Sequence, residues 1–424
     1  MMRQAIKAGA SLLMLAAIGC ASTTYNPSTI EAVGALDRAQ TQARNGLEVR
    51  ATVLSPEETK QLFGADLADK HIQPVWLEIR NDTDQRYLFF PRSLDRDYYS
   101  PLEAAWLVRK PYAKSLLPDI ATFFHDHHIQ MIVPRHSQAS GFVYAHLGLG
   151  FRYVNVELLA EDSREVERFG FTFDVPGMQS HYREVPFDIL WPKDEIVDLD
   201  DDGLRQWLAT QPCCVTDKKG KKSGDPLNIV MVGDSRSIWA FARAGWEAAE
   251  KMSGRATWKT MKASLFASEY RHSPVSSLYL YGRMQDIAMQ KVRRTLNQRN
   301  HLRLWLAPVT WHGERVWLGQ ISRDIGVRFT TKSPTISTHK IDPDVDETRN
   351  YLMQDLISAE GARRFAYVLG VGKADAADSR TNLTGDPYVT DGLRLVVFLS
   401  PDPVPLTDVV YLEWEQPPRR IPPR

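Results

Sequence analysis

Cysteine is scarce in this sequence: three in 424 residues, at 20, 213 and 214. Two are neighbours, so no framework of crossing disulfides can staple the chain, and an apolar core must hold it. Net charge is absent as well, with 52 Lys and Arg against 52 Asp and Glu and a pI near 7.2. That balance removes the basic field on which nucleic-acid binding depends, so no nucleic-acid partner is expected. The one lysine-rich run, Asp217–Asp225 ("DKKGKKSGD"), reads as solvated linker. Past the first residues, no stretch approaches the ~18 continuous apolar residues of a membrane-crossing helix. What is present, 43% hydrophobic and 25% charged residues, suits an ordinary globular chain of two or three domains.

The amino terminus, "MMRQAIKAGASLLMLAAIGCAS", has Arg3 and Lys7, then an apolar run, then small residues before Cys20. This is the pattern of a secretory signal, too short to span a membrane stably. Its end, Ala17-Ile18-Gly19-Cys20, is similar to a bacterial lipobox, which implies cleavage before Cys20 and lipidation of its sulfur and new amino group. Several acyl chains on one residue exceed the single chain that anchors only marginally. With Ala21 next, rather than an inner-membrane retention Asp, the expectation is an outer-membrane lipoprotein facing the periplasm. The alternative is an ordinary cleaved signal with Cys20 lost. Cys213 and Cys214 then form either a vicinal disulfide or two thiols in a linker.

Hydrophobic periodicity divides the rest. Residues 20–45 read as a polar tether. From "GLEVRATVL" the period becomes two, and "IQPVWLEIRN", "RYLFFP", "IQMIVP", "SGFVYAHL", "RYVNVELLA" and "FGFTFDV" follow as short strands. Two helical inserts are announced by Ser55-Pro56-Glu57-Glu58 and Ser100-Pro101-Leu102-Glu103, each with Ser at the cap, Pro first in the helix and Glu three on. Residues 46–185 are therefore expected to be an all-β sandwich, immunoglobulin-like in the loose sense. His125, His127 and His128 interrupt it, either as a zinc or copper site or as an exposed helix end where the C-terminal dipole tolerates charge. Residues 186–224 read as a linker that carries one acidic-started helix, "DLDDDGLRQWLATQ", before the Cys pair and the lysine-rich loop. Over 225–412 strands alternate with helices, predicting an α/β or α+β domain with a mixed sheet, before an extended tail at 413–424.

Three blocks of that second domain occur together: "SPVSSLYLYGRMQDIAMQK", "HLRLWLAPVTWHGERVWLGQISRDIG" and "HKIDPDVDETRNYLMQDL". In this order they resemble the LssY carboxy-terminal domain family, over roughly Asp225 to Pro405. The family has no defined activity to carry over. Some relatives join the domain to membrane regions of the DedA or phosphatidic-acid-phosphatase type, so the resemblance implies envelope lipid or secretion work.

Several residues could carry chemistry. Gly233-Asp234-Ser235 is similar to the nucleophile block of GDS-type esterases, but the late Asp-x-x-His partner is reversed here as His339-x-x-Asp342, and a helix cap explains the block as well. If His312-Gly313 is a two-residue turn, Trp311 faces Glu314, and the register carried down places His301 opposite Asp324 and Arg303 opposite Ser322. The His–Asp pair is then an oriented acid/base, a metal ligand with its support, or a structural hydrogen bond. The acidic knot Asp342, Asp344, Asp346, Glu347 fits a helix start with Asp342 as cap and Pro343 as first residue, leading into the apolar series Val345, Leu352, Leu356, Ala359. A calcium loop is excluded by Glu347 at its sixth position and Met353 at its twelfth.

Three classes of function stay open. The first is a non-catalytic lipid-anchored binding or accessory protein of the envelope, needing no cofactor. A second is a metal-dependent hydrolase of phosphoester or lipid head-group substrates, with His301, Asp324, His339 and Asp342 as catalytic candidates and His339, Asp342 and Asp324 around a divalent metal. The third is an anion sensor for a lipid-phosphate ligand, built on Arg283, Arg303, Arg323 and Arg349.

Overall fold

Alternating apolar side chains build two β-rich domains in succession. The computed structural model describes residues 24–177, 181–234, 236–249, 276–292, 298–329 and 337–418, without the side chains of 181, 327–329 and 337–339. The first domain holds strands β1 (Gln40–Arg44), β2 (Leu47–Val53), β3 (Ile72–Asn81), β4 (Tyr87–Phe89), β5 (Ile132–Val133), β6 (Ser137–His146), β7 (Gly150–Ala160) and β8 (Val166–Val175). Helices α1 (Pro56–Phe63), α2 (Pro91–Leu94), α3 (Pro101–Val108) and α4 (Leu117–Asp126) are inserted between them. The second domain holds β9 (Val197–Leu199), α5 (Asp201–Thr210), β10 (Cys214–Thr216), β11 (Ser223–Pro226), β12 (Ile229–Val232), α6 (Ala240–Arg243) and β13 (Glu247–Ala248). It continues through β14 (Tyr279–Leu280), β15 (Arg283–Met284), β16 (Ile287–Val292), β17 (Arg299–Trp311), β18 (Glu314–Phe329), β19 (Ser337–Ile341), α7 (Val345–Ser358) and β20 (Ala362–Leu369). Strands β21 (Arg380–Thr381), β22 (Pro387–Tyr388), β23 (Leu393–Leu399) and β24 (Val410–Tyr411) complete it.

In the first domain, sheet β1-β2-β3-β6 packs on sheet β5-β4-β7-β8, the expected sandwich. Strand β3 shows how the period builds it. Val75, Leu77 and Ile79 face the second sheet with Val154, Val156 and Phe171. Trp76, on the other face, joins Phe63, Phe124, Phe142 and Tyr144 beneath α1, α3 and α4. The helices thus form a third layer. Both expected capping boxes are formed: Ser55 and Ser100 each accept from the backbone of the Glu three residues on, and each Glu accepts in return. The stretch 20–45, expected as tether, is packed from Tyr25 onward. The Tyr25 ring meets Tyr112 and Phe123 edge-on at 5.7 and 6.3 Å, Ser28 N donates to Leu62 O at 2.8 Å, and β1 extends the first sheet. Its sparse apolar residues Tyr25, Ile30, Val33 and Ala35 cover the helical layer, which a polar average conceals.

The second domain is α+β around one mixed sheet ordered β13-β16-β17-β18-β12-β23-β20-β24, in which β12 runs antiparallel to β18 and parallel to β23. Helix α7 packs on one face through Leu352 and Leu356, and α5 on the other through Leu204 and Leu208. The expected linker 186–224 therefore belongs to the domain: β9 pairs with β17, and α5 caps a core face. The lysine-rich run is the turn between β10 and β11, closed by Asp217 Oδ1 accepting from Lys221 N and Lys222 N at 2.7 and 3.0 Å. Phe151 of β7 joins the two domains, stacked on Tyr182 at 4.3 Å and edge-on to Trp239 at 4.8 Å.

The β17–β18 hairpin turns at His312-Gly313, both with positive φ (48° and 79°), as a two-residue primed turn requires. Trp311 faces Glu314 as expected, but beyond Pro308 the register shifts, so His301 faces Ser322 and Arg303 faces Gln320. Three residues of β17, Ala307–Val309, lie against the single Val316. The shift is even, so each side chain keeps its face of the sheet.

Candidate functional site

Alternate residues of β17 line the end of the α5-side core with polar groups: Arg299, His301 and Arg303 are buried there, ahead of the apolar Trp305. His301 reaches Asp324 diagonally across the hairpin, Nε2 to Oδ2 at 2.5 Å, and Arg299 Nε lies 3.5 Å from the same oxygen. His301 is 6% exposed and Asp324 2%. Burial, reinforced by the charges of Arg299 and Arg303 and opposed by Asp324, brings the imidazole pKa down to about 4. At neutral pH the ring is therefore uncharged, and its Nε2–H donates to the Asp324 carboxylate. Arg299 Nη1 also donates to Gln290 Oε1 at 2.9 Å. Arg303 donates to Gln320 Oε1 at 2.8 Å and to Ser276 O and Oγ at 3.1 and 3.2 Å, all neutral acceptors. Burial lowers the pKa of both guanidiniums and raises that of Asp225, the buried carboxyl whose charge acts on Arg303. The result is a buried, cation-rich row whose imidazole is set up to donate to a carboxylate rather than to carry charge.

The acidic knot sits elsewhere and is organised around backbone. The helix cap is Asp344, whose Oδ1 accepts from Glu347 N at 3.2 Å; Asp342, the expected cap, accepts from Asp344 N at 3.1 Å. The chain stays extended through Pro343 because its carbonyl accepts from Val389 N and Asp344 bridges Val389 in parallel. Asp346 turns inward, accepting from Thr390 Oγ1 at 2.8 Å and Asp391 N at 2.6 Å. Arg349, fully buried, grips both Asp391 oxygens at 2.9 Å and Leu393 O at 2.7 Å. These bonds fasten the start of α7 to the loop that feeds β23.

The four candidate arginines are thereby separated. Arg283 is closed by both oxygens of Asp286 at 3.0 Å, and Arg349 by Asp391. Arg323 lies on the α7 side, bonded to Asn300 at 3.3 Å and over the Tyr351 ring, while Arg303 lies on the other face. Backbone pairing sets His339 opposite Val327, three residues along β18 from Asp324; its imidazole lies outside the described residues. Among the described residues no group of three His, Cys, Asp or Glu is gathered for a metal ion. His127 and His128 each bond a carbonyl of their own helix end, Phe123 O and His125 O, at 2.8 and 2.5 Å, and His125 bonds Asp126 at 3.2 Å. Asp234 caps the turn at Ser237, accepting from its N and Oγ at 2.6 and 2.9 Å; Ser235 lies outside the described residues. Cys213 and Cys214 form a vicinal disulfide. Cys20 lies outside the described residues.

Two buried cations were not anticipated. Arg299 shares the face of His301 and Arg303 at the same period of two, and that alternation was the available signal. Arg394 interrupts the apolar strand β23. One of its nitrogens, Nη2, donates to Gln211 O, Pro212 O and Gly370 O at 2.8–2.9 Å, tying the end of α5 to the sheet, and burial lowers its pKa to about 10.

Fold and geometry thus define a two-domain protein: a helix-covered β-sandwich followed by an α+β domain with a polar row at one end of its core. The C-terminal domain matches the LssY C-terminus family over residues 204–393, a span that includes most of α5 and the Cys pair. No curated protein matches the chain. Among the described residues no helix is long and apolar enough to cross a membrane.

Proposed function

We propose that this is a lipid-anchored envelope protein, held at the outer membrane through Cys20 and facing the periplasm, whose body binds a partner or ligand without turnover. One observation carries the binding reading: Asp344, Asp346, Arg283 and Arg349 of the family-like blocks are each engaged by partners within the fold. Asp346 and Arg349 serve the loop at Asp391, Asp344 serves its own helix, and Arg283 serves Asp286. Such groups shape a surface rather than address a substrate. The test is elemental analysis of the protein purified from membranes, with mass measurement of its N-terminal peptide. A diacylglyceryl-modified Cys20 and substoichiometric divalent metal are the expected results. Stoichiometric zinc, manganese or magnesium that disappears in His339→Ala would instead meet the requirement of the metal-dependent hydrolase and turn the choice in its favour.

The Arg299–Arg303 row favours one second reading, an anion-binding module for a phosphate-bearing ligand. Thermal shifts with inorganic phosphate and pyrophosphate test it, and a flat response, unchanged in Arg303→Met, removes it.

A further inference from the structure

We propose that the helical layer on the outer face of the sandwich is the surface that rests on the membrane, with Leu102 and Trp106 of α3 at the headgroup level and Arg109, Lys110 and Lys114 beside lipid phosphates. The proposal rests on lipidation of Cys20, the reading given above, and adds an orientation to it. Tyr25 is five residues from Cys20, and five residues reach at most about 17 Å when fully extended. Tyr25 is also docked, its ring against Tyr112 and Phe123 in the connection between α3 and α4 and in α4 itself. An anchor at Cys20 therefore cannot hold this layer far from the bilayer, whereas the second domain begins beyond the opposite sheet.

The layer has the chemistry for that position. Leu102 and Trp106 are 57% and 61% exposed and stand four residues apart, on one face of α3. Single exposed hydrophobics are common on soluble proteins, but a tryptophan beside basic residues is the composition of a membrane interface. The Arg109 guanidinium covers the Trp106 ring, 3.2 Å from its centroid, leaving a cation at the edge of the apolar patch. Between Ser100 and Leu117 the basic residues Arg109, Lys110 and Lys114 meet one acidic residue, Glu103, whose carboxylate accepts from Ser100 N in the capping box. Contact with anionic headgroups adds to an acyl anchor and needs no rearrangement of the fold.

The full mature chain, purified from membranes and reconstituted on vesicles of phosphatidylethanolamine and phosphatidylglycerol, provides the test. With Cys20 acylated and Cys213–Cys214 oxidised, a cysteine introduced by Leu102→Cys is the free thiol for an environment-sensitive fluorophore. Ile189→Cys, at a position 77% exposed in the segment after the sandwich, is the control. Both sites are on the surface, and unchanged melting confirms folding. Headgroup-nitroxide lipid is expected to quench the label at 102 several-fold more than the label at 189, with a blue-shift at 102 only. Equal quenching on chains that pellet with the vesicles overturns the orientation and leaves the anchor standing. A chain that stays in the supernatant with unmodified Cys20 overturns the anchor, and this orientation with it.

Discussion

Arg349→Met is the sharpest perturbation of the helix-start network. The guanidinium is fully buried and holds both oxygens of Asp391, the carbonyl of Leu393 and, at 3.3 Å, Asp346. Methionine keeps much of the stem volume but removes the charge, so Asp346 and Asp391, 4% and 10% exposed, face one another across the vacated fork. Removing one partner of such a buried pair costs about 3–5 kcal/mol, because the remaining charge stays desolvated. For a unit of this size each kcal/mol lowers the midpoint by about 2–4 °C, so a loss of roughly 10 °C is expected. Thermal unfolding followed by tryptophan fluorescence reads the midpoint and urea unfolding the free energy, since of the eleven tryptophans only Trp76 and Trp106 lie in the first domain. Adding Asp391→Asn keeps an acceptor for Leu393 N but removes one of the opposed charges. The double variant is therefore expected to lose less than the sum of the singles, by about 1–2 kcal/mol. A single-variant loss below about 1 kcal/mol, or strict additivity, would refute the view that this network is a structural fastening.

Acid stability tests the buried dyad: the folded-state pKa of His301, about 4, lies below its ordinary 6.5, so the unfolded chain binds the extra proton as pH falls. The second domain should lose about 3 kcal/mol between those two values, and His301→Gln should flatten that slope. Gly141→Ala should lower the stability of the first domain by about 1–3 kcal/mol while sparing the second. At φ 151° its Cβ would meet backbone atoms of His127–Ile129 at 2.7–2.8 Å, which a calorimetric scan resolving the two transitions would register. The mature chain should take up no maleimide before reduction and two equivalents afterwards, at Cys213 and Cys214; labelling without reductant would show that the vicinal disulfide is open.

Local chemistry made much of this structure legible, and long-range pairing hid the rest. Both capping boxes and the primed turn at His312-Gly313 are short-range devices, complete within a few residues, and all are formed. The start of α7 was misplaced by two residues for the complementary reason. Asp342-Pro343 has every local mark of a cap, but a partner far along the chain, Val389, keeps Pro343 and Asp344 extended until Asp344 can serve instead. The helix in the linker is formed as expected, but its place in the second domain is not legible locally, because Leu204 and Leu208 are a sparse apolar pair that declares itself only against the sheet. The His301–Asp324 contact survived a wrong register. Two strands share one edge of β17, β16 along Arg299–Leu304 and β9 along Val309–Trp311, and the irregularity around Pro308 lies between them. Because that irregularity adds an even number of residues, face is conserved while direct opposition is lost, and the imidazole reaches its carboxylate diagonally. An odd insertion at Pro308 would instead turn Arg299, His301 and Arg303 together toward α7 and put Leu302 in their place on the α5 side. The polar row at this end of the core therefore depends on the parity of that irregularity as much as on the residues that form it.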